Sequence, residues 1–202
     1  MTEYFTIKSP KEGLFKDRGS KFLSFAFPVT TELEVKEIQD DLRKKFHDAR
    51  HHCYAWVLGM DDQIWRANDD GEPSHSAGDP ILGQIRSFGL TNTLVVVVRY
   101  FGGTKLGVGG LINAYKTAAS LALAETEKQP IFECTEVRFS FGYDLVSIVE
   151  RLIIDFEIEV ISRDFRESCQ IKGSIKNDLI ASFKNRITDY FDLEVSFSDT
   201  IS

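Results

Sequence analysis

The 202-residue chain has few cysteines, few prolines and no long hydrophobic run. Its three cysteines, at positions 53, 134 and 169, are odd in number and form no CxxC pattern, which predicts reduced thiols rather than disulfides. The longest aliphatic run, residues 94–98, is too short to span a bilayer, and the first residues lack the apolar core of a signal peptide. We therefore expect a cytoplasmic protein that makes no contact with a membrane.

Phenylalanine and acidic charge are abundant. The chain has 16 phenylalanines and a formal net charge of −7, which argues against indiscriminate nucleic-acid binding. The charge is uneven, because residues 131–202 hold 8 Lys/Arg against 14 Asp/Glu. Basic residues in the remainder form two groups: Lys8, Lys11, Lys16, Arg18 and Lys21, and then Arg43, Lys44, Lys45 and Arg50. Each group is either a solvated face or a surface that meets phosphate.

The polar, proline-ended segment 125–130 predicts a boundary between two α+β domains, residues 1–129 and 130–202. Downstream of it, the hydrophobic pattern predicts the order β-α-β-β-α-β, which is typical of ferredoxin-like domains. The four strands are expected at residues 137–142, 158–161, 169–175 and 193–197. The helices are expected after Asp144 and after Asn177 or Asp178, as capping residues.

The first domain also alternates between strand and helix patterns. Strands are expected at residues 4–7, 13–16, 21–27, 52–58 and 93–100, the last buried on both faces because of its valine run. Helices are expected at residues 32–46, with Thr30 or Thr31 as cap, and at residues 80–87 and 111–124. The irregular segment 67–79 is long for a compact domain, and such loops are usually functional.

Five glycines between positions 102 and 110 connect the valine strand to the following helix. A glycine-rich loop before a helix exposes unpaired N–H groups and the positive end of the helix dipole, so it favours an anion, here flanked by Arg99 and Lys105. The spacing fits neither GxxxxGK[ST] nor GxGxxG. The alternative interpretation is that small residues let the helix pack closely on the sheet.

The segment 69–79 carries Asp69, Asp70 and Glu72, oxygen ligands of the kind that hard cations prefer. Turn formation explains the same residues, and we expect no metal and no cofactor. Zinc binding by the His51–Cys53 stretch is disfavoured, since neighbouring strand residues point to opposite faces. Ser74, His75 and Ser76 lack the spacing of a nucleophile and its base, so no catalytic residue is assigned.

Four motifs resemble the signature of the IMPACT family, the bacterial YigZ-type proteins: HDARHHCYA at 47–55, DDGEPS at 69–74, AGDPIL at 77–82 and VVRYFGGTKLGVGGLINAY at 97–115. The resemblance covers the first domain. It implies an N-terminal domain like domain 2 of ribosomal protein S5 and a ferredoxin-like C-terminal domain similar to one of elongation factor G. The resemblance implies that eukaryotic relatives are translation regulators that contact their partner through an additional N-terminal domain, which we do not expect in this chain. The chain departs from the family pattern at His75, Ser76 and Asp79.

The first functional hypothesis is a non-enzymatic factor that binds RNA or the translation machinery through a glycine-rich cleft. The alternatives are a nucleotide- or small-molecule-binding enzyme that uses the same cleft, and a protein-interaction module that acts through the acidic domain. We expect both loops to converge on one site. Its phosphate-binding candidates are Arg99, Tyr100, Gly102, Gly103, Lys105, Gly107, Gly109, Gly110, Asn113 and Tyr115. Its further cleft residues are Asp69, Asp70, Gly71, Glu72, Ser74, His75 and Ser76.

Overall fold

A computed structural model describes residues 4–60, 62–166 and 168–201. The chain is mixed α and β, with five α-helices and several sheets among the described residues. It divides into two compact units, residues 1–131 and 132–202. No helix in the described part of the chain is long and apolar enough to cross a membrane.

The described residues of the first unit form seven strands and three α-helices. The strands are β1 (Tyr4–Ile7), β2 (Lys11–Asp17), β3 (Ser20–Pro28), β4 (His51–Leu58), β5 (Ile64–Asn68), β6 (Thr93–Tyr100) and β7 (Lys128–Ile131). The helices are α1 (Glu32–Lys45), α2 (Gly78–Ser87) and α3 (Gly107–Ala124). Five strands form one antiparallel sheet in the order β2-β3-β6-β4-β5, while β1 pairs with β7.

The valine-rich strand β6 lies at the centre of the five-stranded sheet. Its residues from Leu94 to Val98 are at most 1% exposed, which confirms the predicted burial on both faces. One face packs on α2 and α3, and the other on α1. Helix α1 begins as predicted, because the Thr31 side chain accepts a hydrogen bond from the Glu34 amide.

The antiparallel registers bring four connections to one end of this sheet. Lys21 pairs with Tyr100, Arg99 pairs with His51, and Tyr54 pairs with Asn68. The β2–β3 turn, the segment after α1, the polar segment after β5 and the glycine-rich segment after β6 therefore all leave the sheet at the same end. We call it the loop end.

Three boundaries in the first unit differ from the prediction. Strand β5 was not predicted. Three of its five residues are exposed at the sheet edge, so its sequence lacks the alternation of apolar and polar residues that indicates a half-buried strand. The irregular segment is consequently only residues 69–77. Helix α3 begins at Gly107 rather than Leu111, since its first turn is built from residues of low helix propensity. Strand β7 extends the first unit to residue 131 by pairing with β1.

The second unit contains β8 (Cys134–Phe141), α4 (Val146–Asp155), β9 (Glu159–Phe165), β10 (Cys169–Lys176), α5 (Ile180–Ile187) and β11 (Glu194–Ile201). The predicted element order is confirmed, and the antiparallel sheet has the order β11-β8-β10-β9. The predicted caps are wrong. Asp144 and Asn177 lie instead in single 3₁₀ turns that lead into α4 and α5, and neither helix has a side-chain cap.

Candidate functional site

The glycine-rich segment is fixed to the β2–β3 turn at the loop end. The Gly102 amide donates to Ser20 Oγ at 3.1 Å. A Cβ on Gly19 would lie 2.7 Å from the Gly102 carbonyl oxygen, and a Cβ on Gly102 would overlap the backbone of Gly19 and Ser20. Gly102 therefore allows close packing of two backbone segments, although against the β2–β3 turn rather than between helix and sheet.

Three of the four remaining glycines of the segment face open space. A Cβ on Gly103, Gly107 or Gly109 would meet no atom within 4 Å, and the first two have φ values of 87° and 73°. Helix α3 starts here with Leu106 in the N-cap position and no side-chain cap. Its first-turn amides are consequently available to an anion, as a helix N-terminus allows. Gly110 lies against Leu106, whereas Asn113 is exposed on the helix.

A buried ion pair joins the polar segment to the valine strand. Arg99 Nη1 lies 2.5 Å from Glu72 Oε1, and the two side chains are 7% and 4% exposed. Tyr115, from α3, donates its hydroxyl to the same Glu72 oxygen at 2.7 Å. Glu72 therefore connects the polar segment to β6 and α3, the two elements that flank the glycine-rich segment, and convergence of the two segments themselves stays a prediction. Arg99 and Tyr115, however, are buried and bond to Glu72, so neither side chain is exposed to a ligand.

Tyr115 and Cys53 extend this contact into the core. The Cys53 thiol lies 3.3 Å from the Tyr115 hydroxyl oxygen and 3.0 Å from the Asp69 carbonyl oxygen. Burial raises the pKa of Tyr115 and of Cys53 far above their ordinary values. Tyr115 therefore remains a neutral hydrogen-bond donor, and Cys53 remains an unreactive thiol.

Asp69 organises the polar segment and the start of α2. One carboxylate oxygen accepts from the amides of Ala77 and Gly78, and the other accepts from the His75 amide, each at 2.9 Å. Burial opposes ionisation of Asp69, but these three hydrogen bonds hold its pKa below the ordinary range. The sequence did not indicate this role, because Asp69 lies eight residues before Ala77 and outside the usual capping spacing.

Asp70 connects the polar segment to α1 and β4. Its carboxylate accepts from the His52 amide at 2.6 Å and from Arg43 Nη2 at 2.9 Å. Burial again opposes ionisation, but the Arg43 guanidinium and the His52 amide keep the pKa of Asp70 low. The three carboxylates of the segment thus have separate partners, and no cluster of metal-ligating residues occurs in the described ranges.

Two side chains of the Ser74–Ser76 stretch make local hydrogen bonds. His75, with φ at 62°, places its Nδ1 2.6 Å from Asp79 Oδ2, which raises the pKa of His75 by hydrogen bonding. The Ser76 hydroxyl is buried and donates to the Pro73 carbonyl oxygen. Ser74 is exposed, and Gly71 lies near the His51 ring. Among the described residues, the His75 ring is hydrogen-bonded to Asp79 and not to a serine.

The exposed surface of the loop end is basic and carries one aromatic ring. Within the described ranges, the charged groups of Lys16, Arg18, Lys21 and Lys105 form no ion pair. Phe101 is 55% exposed. Sequence reasoning did not assign Lys16, Arg18 and Lys21 to the site, because their proximity to the glycines depends on the strand register. Tyr100 is only partly exposed and donates its hydroxyl to Asp48.

The second basic group is partly neutralised. Arg43 pairs with Asp70, and Lys44 pairs with Asp41 at 3.2 Å. Lys45 lies over the rings of Phe25 and Phe46. Arg50, directly before β4, is exposed and forms no ion pair within the described ranges, so the loop end presents unpaired positive charge on the segment after α1 as well as on the β2–β3 turn and the glycine-rich segment.

Comparisons with known proteins agree with this architecture. The model of the Impact N-terminal domain matches residues 18–123. IMPACT family member YvyE of Bacillus subtilis is 44% identical over 120 residues, which are 59% of this chain and 55% of that protein. IMPACT family member YigZ of Escherichia coli is 31% identical over 175 residues, or 86% of each chain. A crystal structure described as that of a hypothetical protein is 29% identical, with a TM-score of 0.74 over 96% of this chain and 97% of that one. The chain belongs to the IMPACT family.

Proposed function

We propose that this protein is a cytoplasmic, non-enzymatic factor that acts on translation by binding RNA through the loop end. One observation carries the proposal. Unpaired cations from the β2–β3 turn, and Lys105 from the glycine-rich segment, flank a helix N-terminus with open glycines. These groups are distant in the sequence but lie at the same end of the sheet, and ammonium groups beside free amides suit phosphate oxygens.

The uneven charge of the chain supports the same function. The whole chain is acidic, with a net charge of −7, so a polyanion is attracted only where positive charge is locally concentrated. The loop end offers such a region. The acidic residues beyond position 131 repel RNA and thereby limit contact with other surfaces.

The architecture supports a link to translation. In the second unit, the element order and the strand order β11-β8-β10-β9 fit a ferredoxin-like domain, which resembles a domain of elongation factor G. The first unit fits a fold like domain 2 of ribosomal protein S5. Family resemblance to eukaryotic translation regulators supports the same function.

The test is an RNA-binding titration of the purified protein at several salt concentrations. The site variant is Lys21→Gln with Lys105→Gln. The matched control is Lys8→Gln with Lys11→Gln, which removes the same charge at the opposite end of the sheet. We expect wild-type affinity to fall steeply with salt, and the site variant to bind at least about tenfold more weakly with a shallower salt dependence. The control variant should bind within about twofold of wild type.

Two results would contradict the proposal. Absence of binding even at low salt would exclude RNA as the ligand of this surface. Equal loss of binding in the site and control variants would show that only net charge matters. A large thermal stabilisation by ATP and magnesium would favour the nucleotide-binding enzyme instead, since a ligand stabilises the state that binds it.

A further inference from the structure

Phe101 is an exposed aromatic ring at the point where β6 ends. It is 55% exposed, although the sheet residues that precede it are buried. We propose that Phe101 stacks on an unpaired base, so that the RNA bound at the loop end is single-stranded. This inference rests on the proposed function and names the class of RNA that the surface takes.

The inner side of the Phe101 ring is supported by a fixed cation. The Arg99 guanidinium carbon lies 5.7 Å from the Phe101 ring centroid and 5.4 Å from that of Phe22. Arg99 is itself held by Glu72 at 2.5 Å and is nearly buried. The ring therefore rests on a group that cannot move away, while its other side is available to a ligand.

The backbone on both sides of Phe101 is also fixed. Arg99 is paired within the sheet to Phe22 on one side and to His51 on the other. Gly102 is bonded to Ser20 and packed against Gly19. An aromatic platform held in this way loses little conformational entropy when a base stacks on it, which favours binding.

The surrounding charges suit the backbone of a single strand. Lys105 follows four residues after the ring. Lys21 pairs in register with Tyr100, the residue before Phe101, at the same end of the sheet, but its side chain lies on the face opposite that of Arg99 and Phe22. A base-stacking ring beside unpaired cations is the usual combination in proteins that bind single-stranded nucleic acid. In a duplex the bases are paired and stacked, so this ring has no base to contact.

Among the aromatic residues near the glycines, Phe101 has the most exposed side chain. Tyr115 is fully buried, and its hydroxyl donates to Glu72. Tyr100 is partly buried, and its hydroxyl donates to Asp48 at 2.7 Å. Neither presents a free ring face comparable to that of Phe101.

The experiment compares two fluorescein-labelled probes by anisotropy: a 12-nucleotide oligouridine and a 12-base-pair RNA duplex. The variants are Phe101→Leu, which keeps an apolar side chain without a ring face, and Phe101→Tyr, which keeps the ring. We expect Phe101→Leu to weaken oligouridine binding about tenfold, and Phe101→Tyr to bind within about twofold of wild type. The loss should persist at high salt, because stacking is not electrostatic. Duplex binding should be weaker than oligouridine binding and unchanged by Phe101→Leu.

Phe101→Trp gives a direct readout, since stacking of a base on the indole should quench its fluorescence when oligouridine is added. The inference is overturned if Phe101→Leu binds oligouridine like wild type, or if the duplex binds as tightly as the single strand. In either case, loss of binding in the Lys21→Gln, Lys105→Gln variant would leave the proposed function standing. If the wild-type protein bound neither probe, the proposed function itself would be rejected.

Discussion

Gly19 and Gly102 lie backbone to backbone, and this contact joins the β2–β3 turn to the glycine-rich segment. Gly19 adopts a φ of 80°, and a Cβ there would lie 2.7 Å from the Gly102 carbonyl oxygen. A Cβ on Gly102 would overlap the backbone of Gly19 and Ser20. The φ of Gly102 lies outside the left-handed region, so its requirement for glycine is one of space.

We predict that Gly102→Ala lowers the free energy of unfolding by about 2 kcal/mol or more, because two backbone segments must separate to admit a methyl group. The matched control is Gly109→Ala in the first turn of α3. That Cβ would meet no atom within 4 Å, so the change should be neutral or stabilise by up to about 1 kcal/mol through helix propensity. Urea denaturation measures both. Equal stability of the two variants would contradict the steric explanation.

The buried Glu72–Arg99 pair gives a second prediction. Glu72→Gln should destabilise by about 3–5 kcal/mol, since it leaves the Arg99 guanidinium buried without a counter-charge. Combining Glu72→Gln with Arg99→Met removes that charge as well, so the double variant should be more stable than the sum of the two single changes predicts. Denaturant midpoints across this double-mutant cycle give the coupling energy. Simple additivity would mean that the two side chains do not interact in solution.

Asp69 gives a prediction about acid stability. Its pKa is lower in the folded protein than the ordinary value of about 3.9, so it stabilises the fold above that pH, and the contribution disappears as pH falls through the folded pKa. Asp69→Asn should therefore be less stable than wild type at neutral pH, and the difference should shrink as pH falls below about 4. Exposed Asp40→Asn serves as control and should follow the wild-type curve. Thermal unfolding at stepped pH measures all three, and a difference that is constant with pH would contradict the assignment.

Much of the fold was predictable because strong periodicity marks buried elements. The valine run of β6 and the amphipathic pattern of α1 predicted two elements that the structure confirms. Strand β5 lacked such a signal, since its residues from Ile64 to Arg66 are exposed. The start of α3 was missed because glycine has low helix propensity, and because the first turn is exposed while the buried residues of the helix begin only at Leu111.

The glycines and the acidic segment indicated two candidate loops, but the sequence did not show which groups they contact. The observed contact is between Glu72 of the acidic segment and Arg99 of β6, the strand that leads into the glycines. Arg99 was expected to face a ligand, but nothing in the sequence shows which cation a distant carboxylate will pair with. Conversely, Lys21 reaches the site only through its register with Tyr100. Such relationships arise from strand pairing, which a single sequence does not specify.

The last prediction concerns two histidines with opposite pKa shifts. Hydrogen bonding to Asp79 raises the pKa of His75 above its ordinary value of about 6.5, whereas burial, aided by the charge of Arg43, lowers that of His52. His75 therefore stabilises the fold at low pH and loses this effect as pH rises through its folded pKa. His52 has the reverse effect, since protonation of its buried ring opposes folding. NMR titration should give midpoints above about 6.5 for His75 and below it for His52.

Asp79→Asn should lower the His75 midpoint toward about 6.5 and leave that of His52 unchanged, because the substitution removes only the carboxylate that faces the His75 ring. If both midpoints moved together, the shifts would reflect the overall charge of the protein rather than these contacts. If the His75 midpoint did not move at all, the bond to Asp79 at 2.6 Å would not persist in solution. The exposed position of His75 makes this outcome measurable without loss of the fold, and the buried His52 acts as an internal reference in the same spectra.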